Sequence, residues 1–272
     1  MKKDISICLI AKDEGPYLLE WIAYYSIIGF DSFLIYDNES QDDSASKIRA
    51  ASKYFNIKYN FWPDTPDVSP QFSAYEHAIK NTDSQWIAFI DTDEFIYIEN
   101  NKKITEFLSN FSDEIGAVCI NWKLFGSSGH EKMIDDFVIR RFTKCEEHLS
   151  SHVKSIVRRD AVKKMTVHAP ILTEGMHYAY ADGTIAELQR FSEAEVHEPQ
   201  PAHINHYVLK SREEYERKIV RGQGGTPTNS PDKRKKFTPG FWNAHDRNEV
   251  TDTSMLSYIP EIERIVNMIN GS

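Results

Sequence analysis

Cysteine is scarce in this chain: three occur in 272 residues, and none pair as C-x-x-C. Cys8 and Cys119 sit inside apolar runs, so buried thiols in a reducing compartment are expected rather than a disulfide framework. No Gly-rich P-loop and no GxGxxG follows the first apolar run, which argues against a Walker NTPase or a dinucleotide enzyme. Positive charge is also short. Thirty-two Lys and Arg stand against 41 Asp and Glu, a formal net charge of −9, and that balance argues against a general nucleic-acid binder. A phosphorylated ligand stays open to such a protein if a metal or a local basic cluster supplies the opposite charge. The apolar run in "MKKDISICLIAKDEG" breaks at Lys12–Glu14 and is too short for a signal peptide or a membrane span. A cytoplasmic location is therefore expected, with no transmembrane segment, and peripheral attachment at the inner face of a membrane is compatible with it.

What is present belongs to a globular protein: 40% hydrophobic and 12% aromatic residues, in a chain long enough to bury a full α/β core. "ISICLIA" (5–11), "DSFLIYD" (31–37), "NIKYNFWP" (56–63) and Trp86–Ile90 read as strands. Between them, "KDEGPYLLEWIAYYSIIG", "NESQDDSASKIRAAS" and "SPQFSAYEHAIKNTD" carry helical spacing, caps and stops. Four strands alternating with three helices predict a doubly wound, largely parallel sheet. The pattern then loosens. "GAVCINWKLFG" (116–126) and "FVIRRF" (137–142) predict strands, "KSIVRRDAVKKM" a strand and then a helix, and "HINHYVLKSREEYERKIVRG" a short strand and an amphipathic helix. Residues 223–240 read as a mobile basic loop, and "MLSYIPEIERIVNMI" as a closing helix started or interrupted by Pro260.

The chemistry points to "WIAFIDTDEF" (86–95), where a short apolar strand runs into Asp91, Asp93 and Glu94. Asp is a common turn former, and Asp-x-Asp arises by chance on the order of once in so acidic a chain. Position makes it informative, because open α/β sheets bind ligands at the carboxyl ends of their strands. "AKDEG" (11–15) and "YDNESQDDS" (36–44) emerge at the same edge. Asp37, Asn38 and Ser40 also have a helix-capping explanation. The two histidines of "HINHY" are ordinary alone, yet near two carboxylates an imidazole could complete a mixed O/N site for Mn²⁺ or Mg²⁺. Trp122 reads equally as core packing or as a platform for a sugar ring.

Together these stretches resemble the glycosyltransferase-2-like proteins of the family-92 type. The likeness runs from "ISICLIAKDEGPYLLEWIAYYSIIGFDSFLIYDNESQDDS" through "WIAFIDTDEFI", "NWKLFGSSGHE" and "HVKSIVR" to "HINHYVLKSREEYERKIVRG", about residues 5–222. The resemblance implies a GT-A, Rossmann-like fold with an acceptor-side elaboration and C-terminal helices. Residues 1–98 would form the nucleotide-binding half of the transferase domain, 99–222 its acceptor half, and 223–272 a loop and helical extension. It implies a nucleotide-sugar donor, UDP expected, held by Ala11, Lys12, Glu14, Asp37, Asn38, Asp91, Thr92, Lys210 and Lys218. It also implies a divalent metal, Mn²⁺ or Mg²⁺, on Asp91, Asp93 and His206. The family pattern has Asn where Asp13 stands here.

The implied reaction moves a hexose or amino-hexose to a saccharide or lipid-linked glycan acceptor, with inversion, in surface glycan synthesis. Trp122, Gly126, Ser127, Ser128 and His130 are the expected acceptor contacts. For the general base, Asp135 and Asp136 read as turn residues and Asp182 as part of a hairpin turn before Gly183. Glu174, in "HAPILTEGMHY", is the expected base, with Glu131 second. The rival readings are a nucleotidyltransferase, a glycoside hydrolase, and a degenerate module that binds glycans or a partner without transfer.

Overall fold

All four early apolar runs become strands in the computed structural model, which describes residues 5–190, 192–222, 224–227 and 229–271. Strands β1 (Ile5–Ala11), β2 (Ser32–Asp37), β3 (Ile57–Phe61) and β4 (Trp86–Phe89) alternate with helices α1 (Gly15–Ile28), α2 (Ser44–Ala51) and α3 (Pro70–Asn81). They pair in the order β3-β2-β1-β4, all parallel, with Ala11 opposite Asp37 and Cys8 opposite Phe89. The strand tips that carry Ala11, Asn38 and Asp91 therefore share one edge.

The chain continues through β5 (Glu94–Ile98), α4 (Ile104–Leu108), β6 (Ile115–Leu124), α5 (Val138–Arg141), β7 (Lys144–Cys145) and β8 (Val153–Arg158). Short strands follow: β9 (Val162–Lys164), β10 (Ile171–Leu172), β11 (His177–Tyr180), β12 (Ile185–Ala186), β13 (Leu188–Arg190), β14 (Glu193–Ala194) and β15 (Ala202–His206). The last elements are α6 (Arg212–Arg221), α7 (Pro239–His245), β16 (Val250–Thr251) and α8 (Ile259–Asn270). β8 lies antiparallel between β4 and β6, and β11 continues the sheet parallel to β6. β15 pairs with both β5 and the far end of β6, bringing His206 opposite Glu94 and Leu124. The result is the expected α/β architecture, with a wholly parallel sheet of β1–β4 joined to a mixed second half.

Two elements differ from the sequence reading. Residues 138–141 of "FVIRRF" form a single helical turn, because the Glu20 carboxylate on α1 accepts from the Val138 and Ile139 amides at its start. Those amides would otherwise be orphaned, and a side chain from elsewhere in the fold satisfies them as a cap would. "DAVKKM" is not a helix. Arg159–Ala161 make a 3₁₀ turn and β9 then pairs antiparallel with β10, and that strand pairing outweighs helix propensity.

The C-terminal stretch is built into the core. Ile262, Ile265 and Ile269 of α8 are buried in the same apolar cluster as Leu18 and Trp21 of α1. Pro260 lies in the first turn of α8, where its missing amide costs no helical hydrogen bond. β16 pairs antiparallel with β7. Gln223 and Thr228 of the expected mobile loop lie outside the described residues. Nearby, Lys233 Nζ donates to the Thr226 carbonyl, and the Arg234 guanidinium to that of Val220.

Candidate active site

The acidic tip after β4 is held from beneath by α1. Trp21 Nε1 donates to the Asp91 carbonyl across 3.0 Å, and the Tyr25 hydroxyl to the Glu94 carbonyl across 2.9 Å. Tyr24 does the same to Ile96. All three side chains are fully buried, which explains why "LEWIAYY" is aromatic all round instead of amphipathic. Its rings fill the core while their polar ends satisfy backbone carbonyls where ladder bonds stop. A buried Lys154 on β8 adds the charge balance, 3.0 Å from Asp91 Oδ2 and 3.5 Å from Glu94 Oε2. Burial alone would lower the Lys154 pKa, but the two carboxylates outweigh it and hold the ammonium well above its ordinary value. Glu94 is pushed up to about 8, mainly by burial.

Above this turn lies a cleft of about 420 Å³. Its walls come from the tips of β1 and β2 (Ala11, Lys12, Asn38), the Asp91–Asp93 turn, Trp122 of β6 and His206 of β15. Val167 and His168 close one side, and α6 with Gly224, Gly225, Thr226, Lys233, Lys236 and Phe237 the other. Five cations line it (Lys12, Lys218, Arg221, Lys233 and Lys236) against three carboxylates (Glu14, Asp91 and Asp93). A protein of net charge −9 thus gathers a local excess of positive charge at one site. Such a cleft attracts anions and suits phosphate oxygens.

Within the cleft each carboxylate has a set partner. Glu14 pairs with Arg221, which also donates to the Lys12 carbonyl. Asp91 accepts from Lys154 on one oxygen and from Gln71 and Tyr75 on the other. Asp93 Oδ2 accepts from Lys218 Nζ at 2.5 Å. Burial would raise the Asp93 pKa, but the Lys218 and Lys210 ammonium groups outweigh it and hold the carboxyl well below its usual range.

His206 is kept neutral by burial, and its Nε2 faces Asp93 Oδ1 across 3.8 Å. That gap is too long for a hydrogen bond, and the carboxylate and neutral imidazole are the donor types that would hold a divalent cation. The unpartnered Nδ1 of the same ring leaves its tautomer free to present a lone pair from Nε2. These two residues fit a hard divalent ion. Among the described residues no group of three or more His, Cys, Asp or Glu could hold one unaided, so phosphate oxygens and water would complete the shell.

Ala11, Lys12, Glu14, Asn38, Asp91, Thr92, Asp93, Trp122, His206 and Lys218 thus come together in one cleft. Asp37 does not line it, since its oxygens accept from the Ser40 amide and the Tyr59 hydroxyl and shape the turn after β2. Lys210 lies over the Tyr17 ring, 4.2 Å from its centroid, and lines a separate cavity beyond α6. Asp13 adopts φ 52°, a left-handed conformation that Asp and Asn both tolerate, so Asp in place of Asn is locally conservative.

The expected acceptor loop is elsewhere. Gly126 donates its amide to the Arg247 and Lys144 carbonyls, Ser127 to Asp246, and Ser128 to Asn248. His130 Nε2 bonds to the Arg141 carbonyl, and the Glu131 carbonyl accepts from Glu213. These residues tie three chain segments together and do not line the cleft. Glu174 is exposed in the turn before β11. Because β11 runs parallel to β6, that turn sits at the opposite edge of the sheet from the cleft. Lys154, Gln71, Arg221, Lys236 and His168 were missed from sequence. A lysine alone inside the apolar "HVKSIVR" strand was the one available signal.

The family follows from this chain's own pattern: its sequence matches the model of glycosyltransferase family 92 over residues 3–248. A family 92 protein of Ricinus communis is 29% identical over 197 residues, covering 69% of this chain and 35% of that protein. One from Oryza sativa subsp. japonica is 32% identical over 180 residues, 63% of this chain and 30% of its own length. Among solved structures, S. aureus TarS 1–349 superposes loosely, with TM-score 0.41 and 16% identity over 58% of this chain and 48% of TarS. The protein belongs to glycosyltransferase family 92. It spans about a third of the length of the curated relatives it matches. No helix among the described residues is long and apolar enough to cross a membrane.

Proposed function

We propose that the cleft transfers a hexose or amino-hexose from a UDP-sugar to a saccharide acceptor, with inversion, assisted by Mn²⁺ or Mg²⁺. The carrying observation is the meeting of Asp93, His206 and Lys218 in a cleft that Arg221, Lys233 and Lys236 also line. Asp93 and His206 would hold the metal, and Lys218, Arg221 and Lys236 would meet the diphosphate. Asp91, engaged by Lys154, Gln71 and Tyr75, would fix the turn and face the ribose. Asn38 and Lys12, at the tips of β2 and β1, stand at the nucleoside end. Trp122 would carry the sugar ring on the opposite side.

Departure of a nucleoside diphosphate leaves concentrated negative charge. A bound divalent ion neutralises charge on the leaving oxygens. Lys218 and Lys236 add preorganised positive charge in a half-enclosed site, where it acts more strongly than in water. Placing the acceptor among saccharides or lipid-linked glycans, and the reaction in surface glycan synthesis, rests on family analogy. A thermal-shift screen of UDP-, GDP- and CMP-sugars with and without Mn²⁺ tests the donor. A rise with UDP-sugars that depends on Mn²⁺ supports the reading, since a ligand of the folded state raises its melting point. A rise only with GDP- or CMP-sugars contradicts it.

A further inference from the structure

We infer that His168 is the general base of the proposed transfer, taking the acceptor's proton at Nε2. The inference rests on the donor reading above and identifies the group that activates the nucleophile. An inverting transfer needs a proton acceptor facing the sugar from the side opposite the leaving group. Every carboxylate lining the cleft is already engaged: Glu14 by Arg221, Asp91 by Lys154 and Asp93 by Lys218. His206 faces Asp93.

His168 differs. Its Nδ1 lies 2.9 Å from the Val153 carbonyl, which accepts the Nδ1 proton and so leaves an unprotonated lone pair on Nε2. Among the described residues no hydrogen bond engages Nε2. The ring is half-buried in the cleft wall, its centroid 5.4 Å from that of Trp122, the surface we assign to the sugar. Val153 pairs with Asn121 beside Trp122, so the anchoring carbonyl belongs to the rigid sheet at the cleft edge. "HAPILTEGMHY" therefore supplies the base through its first residue, not through Glu174.

The charges around the ring suit this role. Burial above all, then Lys154 and to a lesser degree His152, outweigh the Val153 carbonyl and Asp91 and bring the His168 pKa down to about 4. The free protein thus carries a neutral imidazole at pH 7. Any diphosphate charge that the metal and the cleft lysines leave unneutralised favours imidazolium and raises the pKa toward the range where a base works best. As the acceptor oxygen bonds to the anomeric carbon, the bond from that carbon to the phosphate oxygen breaks. Its electron pair leaves with the diphosphate, and the hydroxyl proton moves to Nε2. The imidazolium then returns the proton to water.

The test compares wild type with His168→Gln. UDP binding is measured calorimetrically in Mn²⁺, and UDP release from UDP-glucose, UDP-galactose and UDP-N-acetylglucosamine with methyl glycosides as acceptors. The expected result is unchanged UDP affinity, transfer reduced roughly 10²–10⁴-fold, and loss of the acid limb of the kcat/KM profile. Transfer within a few fold of wild type overturns the assignment, as does a loss of transfer matched by an equal loss of UDP affinity. Loss in Glu174→Gln beside an active His168→Gln would return the role to that carboxylate. If wild type binds no UDP, the donor reading itself fails. Should the variant not fold, ring-nitrogen NMR of the wild type decides. An unprotonated Nε2 at pH 7 whose pKa rises on adding UDP supports the base, and a protonated Nε2 overturns it.

Discussion

Lys154 Nζ donates to Asp91 Oδ2 across 3.0 Å from a side chain only 1% exposed, so a single buried ammonium anchors the turn that presents Asp93. Glu94, fully buried, lies 3.5 Å from the same nitrogen. Lys154→Met would keep the volume but strand two acids beside the core. Breaking a buried pair from one side costs about 3–5 kcal/mol. The expected outcome is a lower denaturation midpoint with an unchanged m-value, read by urea unfolding. A midpoint equal to wild type would show that the turn does not depend on Lys154.

A second buried pair sets an acid limit. Arg141 and Glu214 form a bidentate bridge at 2.9 Å in both contacts, and Glu214 also accepts from Tyr17 and Ser211. Burial would raise the Glu214 pKa, but Arg141, Ser211 and Lys210 hold it at about 2, against an ordinary 4.5. A lowered carboxyl pKa means the unfolded chain binds more protons, so this contribution is present above about pH 4.5 and lost on descending toward pH 2. The full effect is on the order of 3 kcal/mol. Glu214 caps α6, the helix that carries Lys218 and Arg221 into the cleft. Glu214→Gln should therefore flatten the acid arm of the stability curve, measured by thermal unfolding from pH 6 to pH 2.5.

Gly126 separates a structural loop from a binding one. A Cβ there would come within 2.4 Å of the Arg247 carbonyl, a backbone atom that cannot step aside cheaply. Gly126→Ala should cost about 1–3 kcal/mol through forced displacement, with the acceptor KM of the folded enzyme unaltered. A raised acceptor KM at full stability would put the acceptor back on this loop.

The first hundred residues were legible because each short apolar strand is followed by a capped helix, and parallel topology then sends every strand tip to one edge. "DTD" could be placed on that edge without knowing any side-chain contact. Later, short strands set by non-local pairing replace periodic patterns. "FVIRRF" became a helical turn only because Glu20, more than a hundred residues earlier, satisfies its amides. "FGSSGHE" shows a second limit. Small residues that let backbone approach closely serve a sugar or a neighbouring chain segment equally well, and here the neighbour is residues 246–248. His168 carried no signal because its role depends on the Val153 carbonyl, which sequence alone does not place beside it.

The proposed transfer requires Asp93 to join a divalent metal to the donor's diphosphate. UDP release from a panel of UDP-sugars, followed with and without Mn²⁺ in wild type and Asp93→Asn, tests it most directly. The substitution keeps the side-chain shape, and the Asp93 carbonyl still accepts from the Tyr207 amide, so the fold should persist. Predicted is Mn²⁺-dependent release by wild type and a loss of roughly a hundredfold or more in Asp93→Asn, the scale expected when transition-state charge loses its stabilisation. Equal, Mn²⁺-dependent turnover by a folded Asp93→Asn protein would show that the Asp93 carboxylate holds no catalytic metal.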